Sequence, residues 1–136
     1  MRNKIPELLA PAGSIESLRA AVNAGADAIY VGGAKYGARA YAENPEEADL
    51  IGGLRYAHRF GVRIHMTVNT LLKEAELQTL PDYIAPYYEA GLDAAIVQDL
   101  GALALLHEHF PLLSLHASTQ TTITGRMPQS SIGVSA

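Results

Sequence analysis

Between residues 112 and 122 the chain reads LLSLHASTQTT, an apolar run that passes without glycine or proline into histidine, serine, glutamine and threonine. If the apolar part is a strand, alternation sets Ser114, His116 and Ser118 on one face, opposite Leu113, Leu115 and Ala117. His116 and Ser118 on one face, with Gln120 just past the strand end, suit hydrogen bonding to a nucleobase or a carboxylate. They also form the one nearby pairing of a potential nucleophile with a potential base. The bland reading stays beside these: His116 as a satisfied core histidine. His65, in an earlier apolar run, leans to that core reading.

A second group lies in GGAKYGARAYAENP, residues 32–45, where Lys35 and Arg39 are interleaved with Tyr36 and Tyr41. Cations between aromatics suit base stacking and phosphate contacts, and Arg39 alternatively clamps a carboxylate. An ordinary solvated loop is the competing reading. Asn69 and Gln98 close two further apolar runs and are read as substrate-facing, although Asn69 equally suits the start of a turn. Asp99 reads as a helix cap. HEHF at 107–110 sets its histidines two apart, whereas a zinc helix needs them four apart on one face, so no metal site is expected. A phosphate loop and a Gly-x-Ser-x-Gly elbow are both absent.

The elements that must position these residues follow from a recurring phrase. NAGADAIYVGG (23–33) and EAGLDAAIVQD (89–99) share Ala-Gly-x-Asp-Ala before an apolar run, and RFGVRIHMTVN (59–69) repeats it loosely. In each, a helix ends on a glycine suited to the left-handed position and a β-branched-rich strand follows. Strands are expected at 7–10, 28–31, 63–68, 94–97 and 112–117. Helices are expected after the Ser14 cap, from near Pro45, around 77–88 with a break at Pro81 and Pro86, and from about 101 to 108. Strict alternation implies parallel strands joined by right-handed crossovers. The third strand carries His65, Thr67 and Asn69 on one face and Ile64, Met66 and Val68 on the other. One polar face fits a barrel lumen better than an open sheet covered on both sides. The fold class expected is therefore α/β, with parallel (β/α) units forming an incomplete TIM-type barrel, about half of one.

Composition sets outer limits. The chain has 136 residues, 49% of them hydrophobic, and a formal net charge of −4, the profile of one globular domain. Apolar runs are too short to span a membrane and the N-terminus has no signal-peptide core, so a cytoplasmic protein is expected. There is no cysteine, which excludes disulfides and any thiolate-held cofactor within these residues.

Six phrases in order, ELLAPAGS, AGADAIYVGG, GARAYAENP, VNTLL, AAIVQDLGALALL and LHASTQ, closely resemble the N-terminal region of the peptidase U32 family over residues 5–124. The resemblance implies a (β/α) barrel and two kinds of activity. One is the collagenase-like proteolysis that gave the family its name. The other is oxygen-independent hydroxylation of RNA bases, in transfer RNA or 23S ribosomal RNA, or of ubiquinone precursors, with a prephenate-derived donor or an iron–sulfur cluster. GARAYAENP and LHASTQ are most similar to the branch that hydroxylates a ribosomal RNA cytidine. RNA or a small carboxylate is then the partner. Family members continue into further barrel units and a cysteine-bearing segment. The reading here is a partial barrel at 1–125 and a non-family polar tail, RMPQSSIGVSA, at 126–136. Such a half-barrel is expected to be silent as a catalyst and to self-associate or pair with the missing half. A non-catalytic assembly module is the third reading.

Overall fold

The computed structural model describes residues 5–38 and 45–121, together with the backbone of Val134 and Ser135. The order is β1 (Leu9–Ala12), α1 (Ile15–Asn23), β2 (Ala28–Gly32), α2 (Glu47–Arg59), β3 (Arg63–Val68), α3 (Glu74–Glu89), β4 (Ala94–Val97), α4 (Leu100–His109), β5 (Ser114–Ala117), a 3₁₀ turn (Thr119–Thr121) and β6 (Val134–Ser135). The strands pair in parallel in sequence order, β1 to β6, and among the described residues the sheet does not close on itself. The polar tail expected at 126–136 thus contributes the backbone of β6.

One face of the sheet builds the core. Ile29, Val31, Ile64, Met66, Val68, Ala95, Val97 and Leu115 pack with Leu18 and Val22 of α1, Leu50 and Leu54 of α2, Leu80 and Ile84 of α3, and Leu103 and Leu106 of α4. The other face carries Leu9 and Pro11, Tyr30, His65 and Thr67, Ile96, and His116, and most of these keep part of their surface exposed. Helices outside and a partly open inner face make this a section of a (β/α) barrel.

The recurring phrase has one geometry at all three sites. Gly25, Gly61 and Gly91 adopt φ of 92°, 70° and 96°. The next residue sends its N–H back five positions: Ala26 to the Ala21 carbonyl, Val62 to Ala57 and Leu92 to Tyr87. This is the Schellman closure, and it buries Ala26, Val62 and Leu92 as the chain turns into a strand. The aspartates then anchor the neighbouring strand. Asp27 accepts the Leu8 N–H at 2.7 Å, and Asp93 accepts the Ile64 N–H at 2.8 Å while pairing with His58 Nε2 at 2.8 Å. Arg63 occupies the equivalent position in the loose repeat, and its guanidinium pairs with Glu7.

Three departures from expectation have an identifiable physical cause. β1 begins at Leu9 rather than residue 7, because Glu7 is drawn to Arg63 and both backbone groups of Leu8 face Asp27. Alternation then turns the Pro11 nitrogen toward the open edge, where a missing N–H is harmless. β5 begins at Ser114 because a turn, closed by the Leu113 N–H on the Phe110 carbonyl, occupies the preceding residues. The third helix does not break: α3 runs continuously from Glu74 to Glu89 with Pro81 and Pro86 inside. An interior proline costs about 3 kcal/mol. Leu80 and Ile84 are fully buried, as is nearly all of Tyr87, and each such side chain contributes roughly 1.5–3 kcal/mol. Packing on the sheet therefore outweighs local propensity.

Two stability predictions follow from the repeat. Gly25→Ala and Gly91→Ala each force a side chain into the left-handed region at about 1–2 kcal/mol. A Cβ on Gly91 also lies 3.3 Å from the His58 ring, whereas one on Gly25 meets nothing within 4 Å. Urea unfolding should therefore show the larger loss for Gly91→Ala, and equal losses would remove His58 from the account. Asp93→Ala leaves the part-buried Ile64 N–H unpaired, about 1–3 kcal/mol, and should lower the unfolding midpoint more than Asp27→Ala, which frees the N–H of exposed Leu8.

Candidate functional site

The inner face is organised in rows by the strand register. His65 is level with Tyr30 on β2 and Ala94 on β4, and His116 is level with Ile96 and Thr67 one row nearer the carboxyl ends. Ala94 on the intervening strand is small, and the two imidazoles meet across it edge-to-face, with ring centroids 4.9 Å apart and planes at 75°. His65 is only 5% exposed, whereas His116 is half-buried. Burial holds the His65 imidazole below its ordinary 6.5, the nearby His116 and Arg63 lower it further, and Glu7 and Asp93 oppose the shift. His65 is therefore uncharged at neutral pH. No hydrogen bond of either imidazole occurs among the described residues.

Above these rows the strand ends are tied to one another. Asn69 Oδ1 accepts the Ala38 N–H at 2.9 Å, Thr70 Oγ1 donates to the Tyr36 carbonyl at 3.0 Å, and Thr67 Oγ1 donates to the Val31 carbonyl at 3.3 Å, joining β3 to the loop after β2. Asp99 caps α4 through the Ala102 N–H at 2.9 Å and accepts the Leu72 N–H at 3.1 Å, joining the segment after β3 to the start of α4. Gln98 Nε2 donates to the Gln120 carbonyl at 3.3 Å, and the Gln120 N–H donates to Ser118 Oγ at 3.3 Å, joining β4 to the turn after β5.

The loop after β2 is held from outside by α3. The Lys35 N–H donates to Tyr83 Oη at 3.2 Å, and the Tyr36 and Tyr83 rings meet edge-to-face at 5.1 Å. Tyr36 Oη lies 2.9 Å from Thr79 Oγ1. These contacts offset an unfavourable backbone, since Tyr36 adopts φ of 62°. Burial pushes the Tyr83 phenol above 10.0, so it stays protonated and can donate.

The sequence-expected residues therefore separate by role. Lys35 lies exposed on the rim loop with its backbone pinned. Tyr36 is engaged with α3, and Asn69 spends its carbonyl oxygen on the loop. Gln98 and Gln120 are linked to each other, Ser118 is buried beneath Gln120, and no hydrogen bond joins Ser118 to His116 among the described residues. Arg39 and Tyr41 lie outside the described residues. No group of three or more His, Asp or Glu residues is placed to hold a metal ion among the described residues. Sequence reading missed Tyr83, Thr79 and Thr70. The GG pair at 32–33 carried a signal for Tyr83, because a Cβ on Gly33 would collide with its hydroxyl.

Comparison with known proteins matches residues 13–127 to the model of peptidase family U32. A 23S rRNA 5-hydroxycytidine synthase of Escherichia coli is 44% identical over 86% of this chain, which spans 17% of that protein. A tRNA hydroxylation protein of Bacillus subtilis is 35% identical over 89% of this chain, which spans 29% of it. An uncharacterized protease of Methanocaldococcus jannaschii is 36% identical over 89% of this chain, again 29% of that protein. Among solved structures, a U32 peptidase superimposes with a TM-score of 0.65 at 15% identity, over 90% of this chain and 52% of its own. A type I 3-dehydroquinate dehydratase of Clostridium difficile gives 0.64 at 13% identity, over 94% of this chain and 58% of its own. These last two speak to the fold, and the family-model match over residues 13–127 to kinship: the chain belongs to peptidase family U32.

Proposed function

We propose that this chain forms the substrate-facing wall of an enzyme that hydroxylates an RNA base without oxygen as the oxidant, with a ribosomal RNA cytidine the favoured target. The observation that carries the reading is the one-sided chemistry of the sheet: imidazoles on the face away from the helices and amides at the strand ends, with Lys35 exposed on the loop after β2. A base drawn into the lumen would meet His116, while Lys35 would meet its phosphate. The names carried by the relatives support this, and 44% identity to the ribosomal RNA protein against 35% to the transfer RNA protein favours the ribosomal target. The protease reading is supported less well, because His116 turns its ring to His65 and no nucleophile–base hydrogen bond occurs among the described residues.

The hydroxyl group needs a cofactor or co-substrate as its source. An iron–sulfur cluster finds no thiolate in this sequence, so no step through a cluster falls to these residues. A prephenate-derived donor is a carboxylate and suits the Lys35 cation of the rim loop, with Arg39 a second candidate outside the described residues; when bound it would supply the hydroxyl equivalent. The open backbone edges of β1 and β6 suit pairing with further barrel units or a second chain, and a cytoplasmic location follows from an RNA substrate. No helix among the described residues is long and apolar enough to cross a membrane.

The test is mass spectrometry of ribosomal and transfer RNA from a strain lacking the gene. One hydroxylated base is expected to disappear and to return with the complete reading frame. Lys35→Ala should weaken restoration a few-fold and give RNA binding by the purified protein a shallower salt dependence, as loss of a single phosphate contact does, and His116→Ala should reduce restoration roughly tenfold or more. Unchanged RNA in the deletion strain, together with cleavage of casein or gelatin by the purified protein, would favour the protease reading instead.

A further inference from the structure

We propose that His65 is a positioning residue for His116, and that the group His116 meets in the lumen is the uncharged, planar, hydrogen-bonding edge of a nucleobase. This rests on the RNA reading above and names the side chains that would read the base. Three observations converge. His65 is more than nine-tenths buried yet spends neither ring nitrogen on a hydrogen bond among the described residues. Those nitrogens are not among the buried unpaired polar atoms, so they keep contact with the open inner face and are available to a ligand. Its ring lies against His116 from one row below, across the gap left by Ala94, so it limits the orientations open to His116. The surrounding inner face carries Leu9, Pro11, Tyr30 and Ile96 together with Thr67, a largely apolar lining suited to a flat ring.

Charge argues in the same direction. The cation on the inner-face rows is Arg63, which lies at the far end of β3 from the rim and is paired with Glu7. Lys35 stands at the rim. Depth therefore suits an uncharged ring and the mouth suits a phosphate, the division a flipped-out nucleotide presents. His65 is uncharged for the reasons given above, its charged form being opposed by burial, His116 and Arg63 and favoured by Glu7 and Asp93. An uncharged His65 adds no positive charge beside His116, so the contact lends no pull on an anion.

The experiment is imidazole NMR on the 136-residue chain, titrated with cytidine and, separately, with inorganic phosphate. Cytidine should shift the His116 and His65 resonances saturably, and phosphate should not. His65→Ala removes the ring that limits His116 and should weaken cytidine binding roughly tenfold, and His65→Phe, which keeps a ring there, should restore much of it. His116→Phe, at a half-exposed position, should weaken binding at least as much as His65→Ala and guards against a folding failure at the buried site. The readout that a merely structural pair would not move is the cytidine-dependent shift, and the titration of His65 tests the ring contact itself. With the His116 charge gone, the His65 titration midpoint should move up toward 6.5 and stop short of it, because burial remains. Shifts produced by phosphate and not cytidine, cytidine binding indifferent to His65→Ala and His116→Phe, or a His65 midpoint unmoved by His116→Phe would each overturn the proposal. An intact hydroxylated base in the deletion strain would instead count against the RNA reading, and the two failures are separable.

Discussion

Where each strand begins decides which side chains reach the lumen, because a slip of one residue turns every inward side chain outward. That starting point is set at the end of the sheet opposite the rim. The Schellman turns at Gly25, Gly61 and Gly91 deliver the chain to its strand, and Asp27 and Asp93 hold the adjoining strand by a backbone N–H. Arg63, standing at the equivalent position, reaches Glu7 ahead of β1 instead. The register that results aligns Tyr30 with His65 and Ile96 with His116. The lumen thus inherits its order from hydrogen bonds made far from it.

At the opposite end a second set of bonds takes over. Asn69 and Thr70 hold the loop after β2, Asp99 holds the segment after β3, and Gln98 holds the turn after β5. Each spends a polar side chain on backbone, so the ties run from β2 around to β5. Ties of this kind fix the backbone of the described loop residues, Lys35 against α3 and Ala38 against the end of β3. The strained Tyr36 backbone, held by Thr79 and Tyr83, belongs to the same device.

The His65–His116 contact joins the two ends. It lies between the anchored strand starts and the tied rim, and it is polar chemistry placed where a closed core would carry aliphatic side chains. Its partners come from strands that are not neighbours, and they meet because Ala94 between them is small. A larger residue at that position would separate the rings.

Much of the framework was legible in the chain itself. Glycines 36 and 30 residues apart, each before an apolar run, were enough to expect (β/α) units, and alternation in β3 and β5 separated core-facing from lumen-facing side chains. Local signals of that kind depend on backbone preference and period. What they could not carry were decisions made by distant partners. The prolines of α3 predicted a break that the burial of Leu80, Ile84 and Tyr87 overrides. The start of β1 was set by Arg63, some fifty residues along the chain, and the roles of Asn69 and Tyr36 by bonds to Ala38 and Thr79. His65 read as core and His116 as an even choice, because one residue's spacing holds no record of the ring that folding brings against it. Sequence determined which faces the side chains occupy. Tertiary structure decided which of them meet, since contact across strands depends on register and on the size of what lies between.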